Sequence, residues 1–147
     1  MAYSARLSTF LFLDSSEAKA MLAASNLRRL ESEEVVFDQG VPLRAIFVIE
    51  SGSLRVERMD SGAAIPLATM YEGELFGEMS FVDGQPTSAR VVAEEPTEVR
   101  IIEPELITQM SAQNAGFEAR LYRSIAAMLA QRLRLREMHL YSNQSWG

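Results

Sequence analysis

The chain has 147 residues, a length that suits one domain with a core of its own. Hydrophobic residues make up 48% and charged residues 23%, which excludes a disordered chain, and the lack of cysteine excludes disulfides, thiol catalysis and thiolate metal or iron–sulfur centres. A net charge of −6 makes the molecule as a whole a poor match for nucleic acid. No basic-then-apolar leader and no membrane-length apolar run is present, so a cytoplasmic location is the expectation.

In chain order, the apolar run Phe10-Leu11-Phe12-Leu13 precedes Asp14 and Glu17, whose spacing resembles a capping box. A helix over 15–24 is predicted, with Ala18, Met21 and Leu22 on one face and Asn26 as its stop. From Leu27 the period changes to two. Strands are predicted over 27–31, 34–38, 45–50, 53–58, 64–71, 89–95 and 97–103. Gln39-Gly40, Ser51-Gly52, Asp60-Ser61-Gly62 and Pro96 supply the turns between them. Short strands at this spacing predict a mainly β protein, a double-stranded β-helix (jelly-roll) barrel with a short N-terminal and a long C-terminal helix. Ile46-Phe47-Val48-Ile49 is apolar on both faces and is expected to be central.

The connection over 73–93 is too long for a tight turn, and Leu75, Phe76, Met79, Phe81 and Val82 make it too apolar for a solvated loop. Such a segment is expected to fold against the barrel with backbone N–H groups facing a pocket. Gly73 and Gly77 would permit close backbone approach to a ligand. A helical turn starting near Leu75 would aim free N–H groups at an anion, and Glu78 would place a carboxylate acceptor in the same pocket, suited to a sugar hydroxyl.

The last third turns helical. Pro104 suits a first helical position, with Leu106, Ile107 and Met110 following at helical spacing. Asn114 is placed to cap a second helix running to about Leu140, a length of roughly 40 Å. Its far half carries Leu133, Leu135, Met138 and Leu140, an apolar patch that a second copy of the helix would cover, giving a homodimer. Five of the 13 arginines (120, 123, 132, 134 and 136) lie in this helix, while acids crowd the stretch from Glu72 to Glu105. Either the basic face is simply solvated, or it pairs with the acidic body or an acidic partner.

The 73–93 residues resemble the phosphate-binding cassette of cyclic-nucleotide-binding domains. In that family a Phe-Gly-Glu segment is followed a short distance on by Arg and two small residues. Phe76-Gly77-Glu78 matches the first part, and Thr87-Ser88-Ala89 stands where the second is found. The resemblance implies that Glu78 holds a ribose 2′-hydroxyl and that Ser88 and Ala89 offer a hydroxyl and an N–H to a cyclic phosphate. Met79 and Arg90 complete the expected ligand-binding set. The family's phosphate-neutralising arginine, however, is replaced by Thr87. Losing such a partner costs about 2–5 kcal/mol, tens- to thousands-fold in affinity. Two readings therefore stay open: altered or lost cyclic nucleotide affinity, or a genuine receptor in which Arg90, Ser88 or backbone N–H groups take the phosphate.

In catabolite-activator-type regulators of the family the long helix forms the dimer and carries a Thr-Ser pair that contacts adenine. Laying the motif A-x-R-L onto Ala130-Gln131-Arg132-Leu133 puts Arg136 and Glu137 at that pair, so the base contact is altered too. Those regulators carry a helix-turn-helix domain after the long helix. Only residues 142–147 remain here, so a lone sensor domain without a DNA-binding domain is expected.

Enzymatic readings find little support. His139 is the sole histidine, which leaves a barrel metal site, a haem or a Ser–His–Asp site short of ligands. Nothing in the sequence sets a separation among Glu72, Glu74, Glu78 and Asp83 that acid–base work would need. The expectation is a non-enzymatic regulatory or sensor module that requires no cofactor, has cyclic AMP or cyclic GMP as candidate ligand, and signals to a protein partner without a membrane. Residues 1–113 would form the barrel with its short helices, and 114–147 the dimerising helix and tail.

Overall fold

A computed structural model describes residues 9–144 of the chain, with side chains through Met138. The side chains of His139 and Leu140, and Trp146, lie outside the described residues. Helix α1 (Ser15–Ala24) begins where Asp14 and Glu17 close a reciprocal capping box: Glu17 N–H donates to Asp14 Oδ1 at 2.8 Å, and Asp14 N–H donates to Glu17 Oε1 at 3.2 Å. It stops one residue earlier than the expected Asn26, because Ser25 donates both its N–H and its hydroxyl to Leu22 O.

Among the described residues eight strands follow: β1 (Asn26–Leu30), β2 (Val35–Phe37), β3 (Ile46–Ser51), β4 (Ser53–Asp60), β5 (Ala63–Tyr71), β6 (Leu75–Phe76), β7 (Arg90–Ala93) and β8 (Thr97–Ile102). They form two antiparallel sheets ordered β1-β8-β3-β6 and β2-β7-β4-β5, a jelly roll. Helix α2 (Glu78–Asp83) lies between β6 and β7, and α3 (Pro104–Gln113) and α4 (Phe117–Gln144) follow β8.

Strand β3 shows why its sequence is apolar throughout. Ile46 and Val48 point to a helical core that contains Met21, Leu22, Ile107, Phe117, Leu121 and Ile125. Phe47 and Ile49 point between the sheets, where they meet Leu54, Phe76, Val91 and Val99. The strand alternates, but both of its faces are covered. Strand β6 was not expected. Its residues pair Phe47↔Phe76 and Val48↔Leu75, and Phe76 stacks on Phe47 with ring centroids 4.9 Å apart, so the stretch is extended and the helical turn expected near Leu75 starts at Glu78 instead.

Asn114 closes α3 rather than capping the next helix. Its N–H and its Nδ2 both donate to Met110 O, at 2.9 and 3.0 Å. The left-handed turn is made at Gly116, φ 76°, and α4 starts at Phe117. With 28 residues, α4 is about 42 Å long. Its first turns are buried through Phe117, Leu121 and Ile125, and Arg120 pairs with the buried Glu17 of α1. Farther on, Leu133, Leu135 and Met138 are 57–66% exposed. Among the described residues no helix is long and apolar enough to cross a membrane.

Leu121 joins α4 to this helical core and is fully buried. Leu121→Ala is expected to lower the unfolding free energy by about 2–5 kcal/mol, read from the urea midpoint of the full chain.

Candidate ligand-binding site at the 73–93 connection

The connection is anchored at its start by backbone bonds to the barrel. Gly73 N–H donates to Ile49 O at 2.9 Å, and Ile49 N–H donates to Glu74 O at 3.0 Å. Gly77 has φ 78° and caps α2 with no side chain. A Cβ there would lie 2.8 Å from Phe47 Cδ1 and 3.2 Å from Ala45 O. Glycine is thus required by the barrel wall, whereas the sequence pattern suggested close approach to a ligand.

Glu78 is 4% exposed. Arg132, from α4, donates through Nη1 to Glu78 Oε1 at 2.9 Å and through Nη2 to Leu75 O at 2.7 Å. Burial pushes the Glu78 carboxyl above its ordinary value, and Arg132 draws it part of the way back. Phe76 is core, stacked on Phe37 as well as Phe47. Met79 is exposed, while Phe81 stacks on Tyr122 of α4 at 5.8 Å.

Thr87, in the place of the family's arginine, is 6% exposed and bound to the turn after β2. Its hydroxyl donates to Asp38 O at 2.6 Å and accepts from Val41 N–H at 3.0 Å. Its own N–H donates to Val41 O at 2.9 Å, and its carbonyl accepts from Gly40 N–H at 2.8 Å. Ser88 is exposed and Ala89 buried.

Arg90 stands opposite Glu57 in the β4–β7 ladder. Its neighbours Val91 and Ala93 belong to the core between the sheets, and its Nε donates to Glu57 Oε1 at 2.9 Å on the outer face. Arg90 first, and then Arg55 with its Nε at 3.1 Å, hold the Glu57 carboxyl below the usual carboxylate range.

The structure thus gathers Phe76, Gly77 and Glu78 at the β6–α2 junction, fastens Thr87 to residues 38–41, and turns Arg90 to the other side of the sheet. Sequence reasoning missed the partners: Arg132 for Glu78, Asp38 and Val41 for Thr87, and Glu57 for Arg90. Only the last had a usable signal, an acid and an arginine facing each other once β4 and β7 are set in register. The arginines of α4 that sequence left between solvent and an acidic body divide. Arg120 and Arg132 pair with the body, and Arg123 lies over the Phe12 ring at 4.0 Å, while Arg134 and Arg136 are exposed.

Comparison with known proteins places this geometry. Residues 27–114 match the model of the cyclic nucleotide-binding domain. A cyclic GMP-binding protein C from Dictyostelium discoideum is 29% identical over 102 residues, 69% of this chain and 4% of its own length. A cyclic AMP receptor protein from Thermus thermophilus is 34% identical over 110 residues, 71% of this chain and 47% of its own. The chain therefore spans less than half the length of either relative. Among solved structures, the catabolite activator protein of Thermus thermophilus superposes with a TM-score of 0.75 at 31% identity, over 90% of this chain and 61% of that one. A cyclic nucleotide-binding domain from Methylobacillus flagellatus gives 0.81 at 18% identity, over 96% and 83% of the two chains, a likeness of fold.

The raised Glu78 carboxyl has a thermodynamic consequence. The folded state holds this proton more tightly than the unfolded state, so the group's contribution to stability is full below its ordinary value of 4.5 and falls as pH rises through the folded value. Glu78→Gln removes that slope. The melting temperature of the variant relative to the natural chain is expected to rise from about pH 4 to about pH 7, and a difference independent of pH would contradict the assignment.

Proposed function

This chain belongs to the cyclic nucleotide-binding domain family, and on that premise we propose that it is a cytoplasmic, non-enzymatic regulatory module whose cassette has altered or lost its cyclic nucleotide affinity. The observation that carries this reading is the state of Thr87. Where the family presents a guanidinium to the phosphate, this hydroxyl is spent on Asp38 O and Val41 N–H. Glu78, which would hold the ribose, is engaged by Arg132, and Arg90 would have to leave Glu57 and cross to the other face of the sheet to reach a ligand.

Residues 1–113 carry the ligand site and 114–147 the output, with Arg132 as the link between them. A ligand that took Glu78 from Arg132 would favour one position of α4 over another, which is what a population shift requires. The output surface is α4 itself. The expected patch does not share one face, since Leu135 and Met138 lie roughly 140–160° around the helix from Leu133. Leu133 instead continues a flank with the exposed Tyr122 and Ala126, and we assign that flank to pairing with a second copy, with a protein partner reading the dimer. Light scattering is expected to give the mass of two chains for the natural protein and of one for Leu133→Glu.

A genuine receptor for cyclic AMP or cyclic GMP is the second reading, favoured by the exposed Ser88 and by the likeness to proteins named for those ligands. Calorimetric titration with each nucleotide separates the two. The first reading predicts affinity at least about tenfold weaker than that of a Thr87→Arg variant, since an added charge-assisted bond is worth about 1.5–3 kcal/mol. Micromolar binding by the natural chain, lost in Glu78→Ala, would establish the second.

A further inference from the structure

We infer that a second small-molecule site, beside the start of the cassette and apart from Glu78 and residues 87–90, lies along the opposite flank of α4 and takes a medium-chain carboxylate. A cleft of about 310 Å³ opens there; Gly73, Glu74 and Leu75 at the start of the cassette line it, but neither Glu78 nor any residue of 87–90 does. Its walls are apolar: Leu11 before α1, and Ala127, Met128 and Leu135 on α4. Gln131 and Arg132 border the same cleft.

The other polar groups on its rim are already spent. Thr9 donates its hydroxyl to Gly73 O at 2.6 Å. Ser124 accepts from Phe12 N–H and donates to Arg120 O, both at 2.9 Å. The Glu74 carboxylate accepts Tyr71 N–H at 2.7 Å through Oε2 and is half-exposed, so water screens the charge it keeps on the rim. What remains is an apolar trough with an amide and a guanidinium. Arg132 uses one Nη1 and one Nη2 bond on Glu78 and Leu75 O, its side chain is 38% exposed, and a guanidinium carries five N–H donors. Its free donors match a carboxylate, which accepts two parallel bonds.

Size bounds the tail. About 310 Å³ lies at the small end of the range for small-molecule pockets, which suits a short chain such as that of octanoate. The flank assigned to helix pairing does not compete. Each residue turns a helix by about 100°, which puts Leu135 roughly 160° from Leu133. Because Arg132 also holds Glu78, occupation of the cleft and the grip on the cassette are thermodynamically linked. The inference does not depend on the cassette's own ligand.

The test is a titration of the full chain with sodium octanoate, followed by calorimetry and by amide chemical shifts. The expected result is saturable binding of one octanoate per chain with shifts along 124–135. Octanol, Leu135→Glu and Arg132→Gln should each weaken it by about tenfold or more, while Arg132→Lys, which keeps the charge but not the two parallel bonds, should fall between Arg132→Gln and the natural chain. Leu135 is exposed, so its replacement leaves the fold intact, and Arg132→Lys guards against a general effect of losing Arg132. Octanol binding as tightly as octanoate would overturn the carboxylate head, unchanged binding in Leu135→Glu would overturn the location, and no saturable binding would overturn the site.

Discussion

Arg132 reaches from the long helix to the start of α2 and grips it at two points, the Glu78 carboxylate and the Leu75 carbonyl. The grip matters because Glu78 is buried, and a buried carboxylate without a counter-charge is costly. It is the last contact of α4 with the body among the ion pairs of the described residues, and residues 133–138 beyond it are exposed. Barrel, cassette and long helix therefore meet at one guanidinium. On the proposed reading, a ligand in the cassette would act on α4 through that contact.

The same pattern recurs at Thr87 and Arg90, two more polar positions of the expected ligand-binding set. Thr87 is fastened to the 38–41 turn by its hydroxyl and by its backbone. Arg90 is matched to Glu57, which in turn is shared with Arg55. A ligand would have to exchange each of these bonds for one of its own, so the net gain per contact is small even where geometry allows it. In the chain as it stands, its own residues occupy the polar groups of Thr87 and Arg90. Of the polar residues expected to bind ligand, Glu78, Thr87, Ser88 and Arg90, only Ser88 is exposed.

Much of the fold was legible because its signals are local. The Asp14–Glu17 box and the 15–24 helix, the Pro104 start, and the alternation that marks the strands all lie within a few residues of the structure they dictate. Apolarity on both faces of β3 was likewise enough to place it centrally. The connection after Tyr71 was read correctly as folded against the barrel. Its extended start was not, because Leu75 and Phe76 become a strand only through Phe47 and Val48, some 27 residues away in the chain. The site was legible in its residues but not in their state. Thr87 and Val41 are 46 residues apart, Glu78 and Arg132 are 54 apart, and no periodicity or spacing pairs residues at such a distance. Gly77 shows the same limit from the other side: its glycine was foreseen, its reason was not, since the close neighbour is Phe47.

The claim that most needs testing is that this cassette is ordered by the protein itself. Hydrogen exchange of the amides from Gly77 to Arg90, measured with and without millimolar cyclic AMP, tests it directly. The account predicts slow exchange at Thr87, Gly84 and Phe81 in the ligand-free chain, where their N–H groups donate to Val41, Ser80 and Gly77 carbonyls, and no further slowing on adding nucleotide. Fast exchange that becomes slow only when cyclic AMP is present would mean that the ligand does the ordering, and the account would fail.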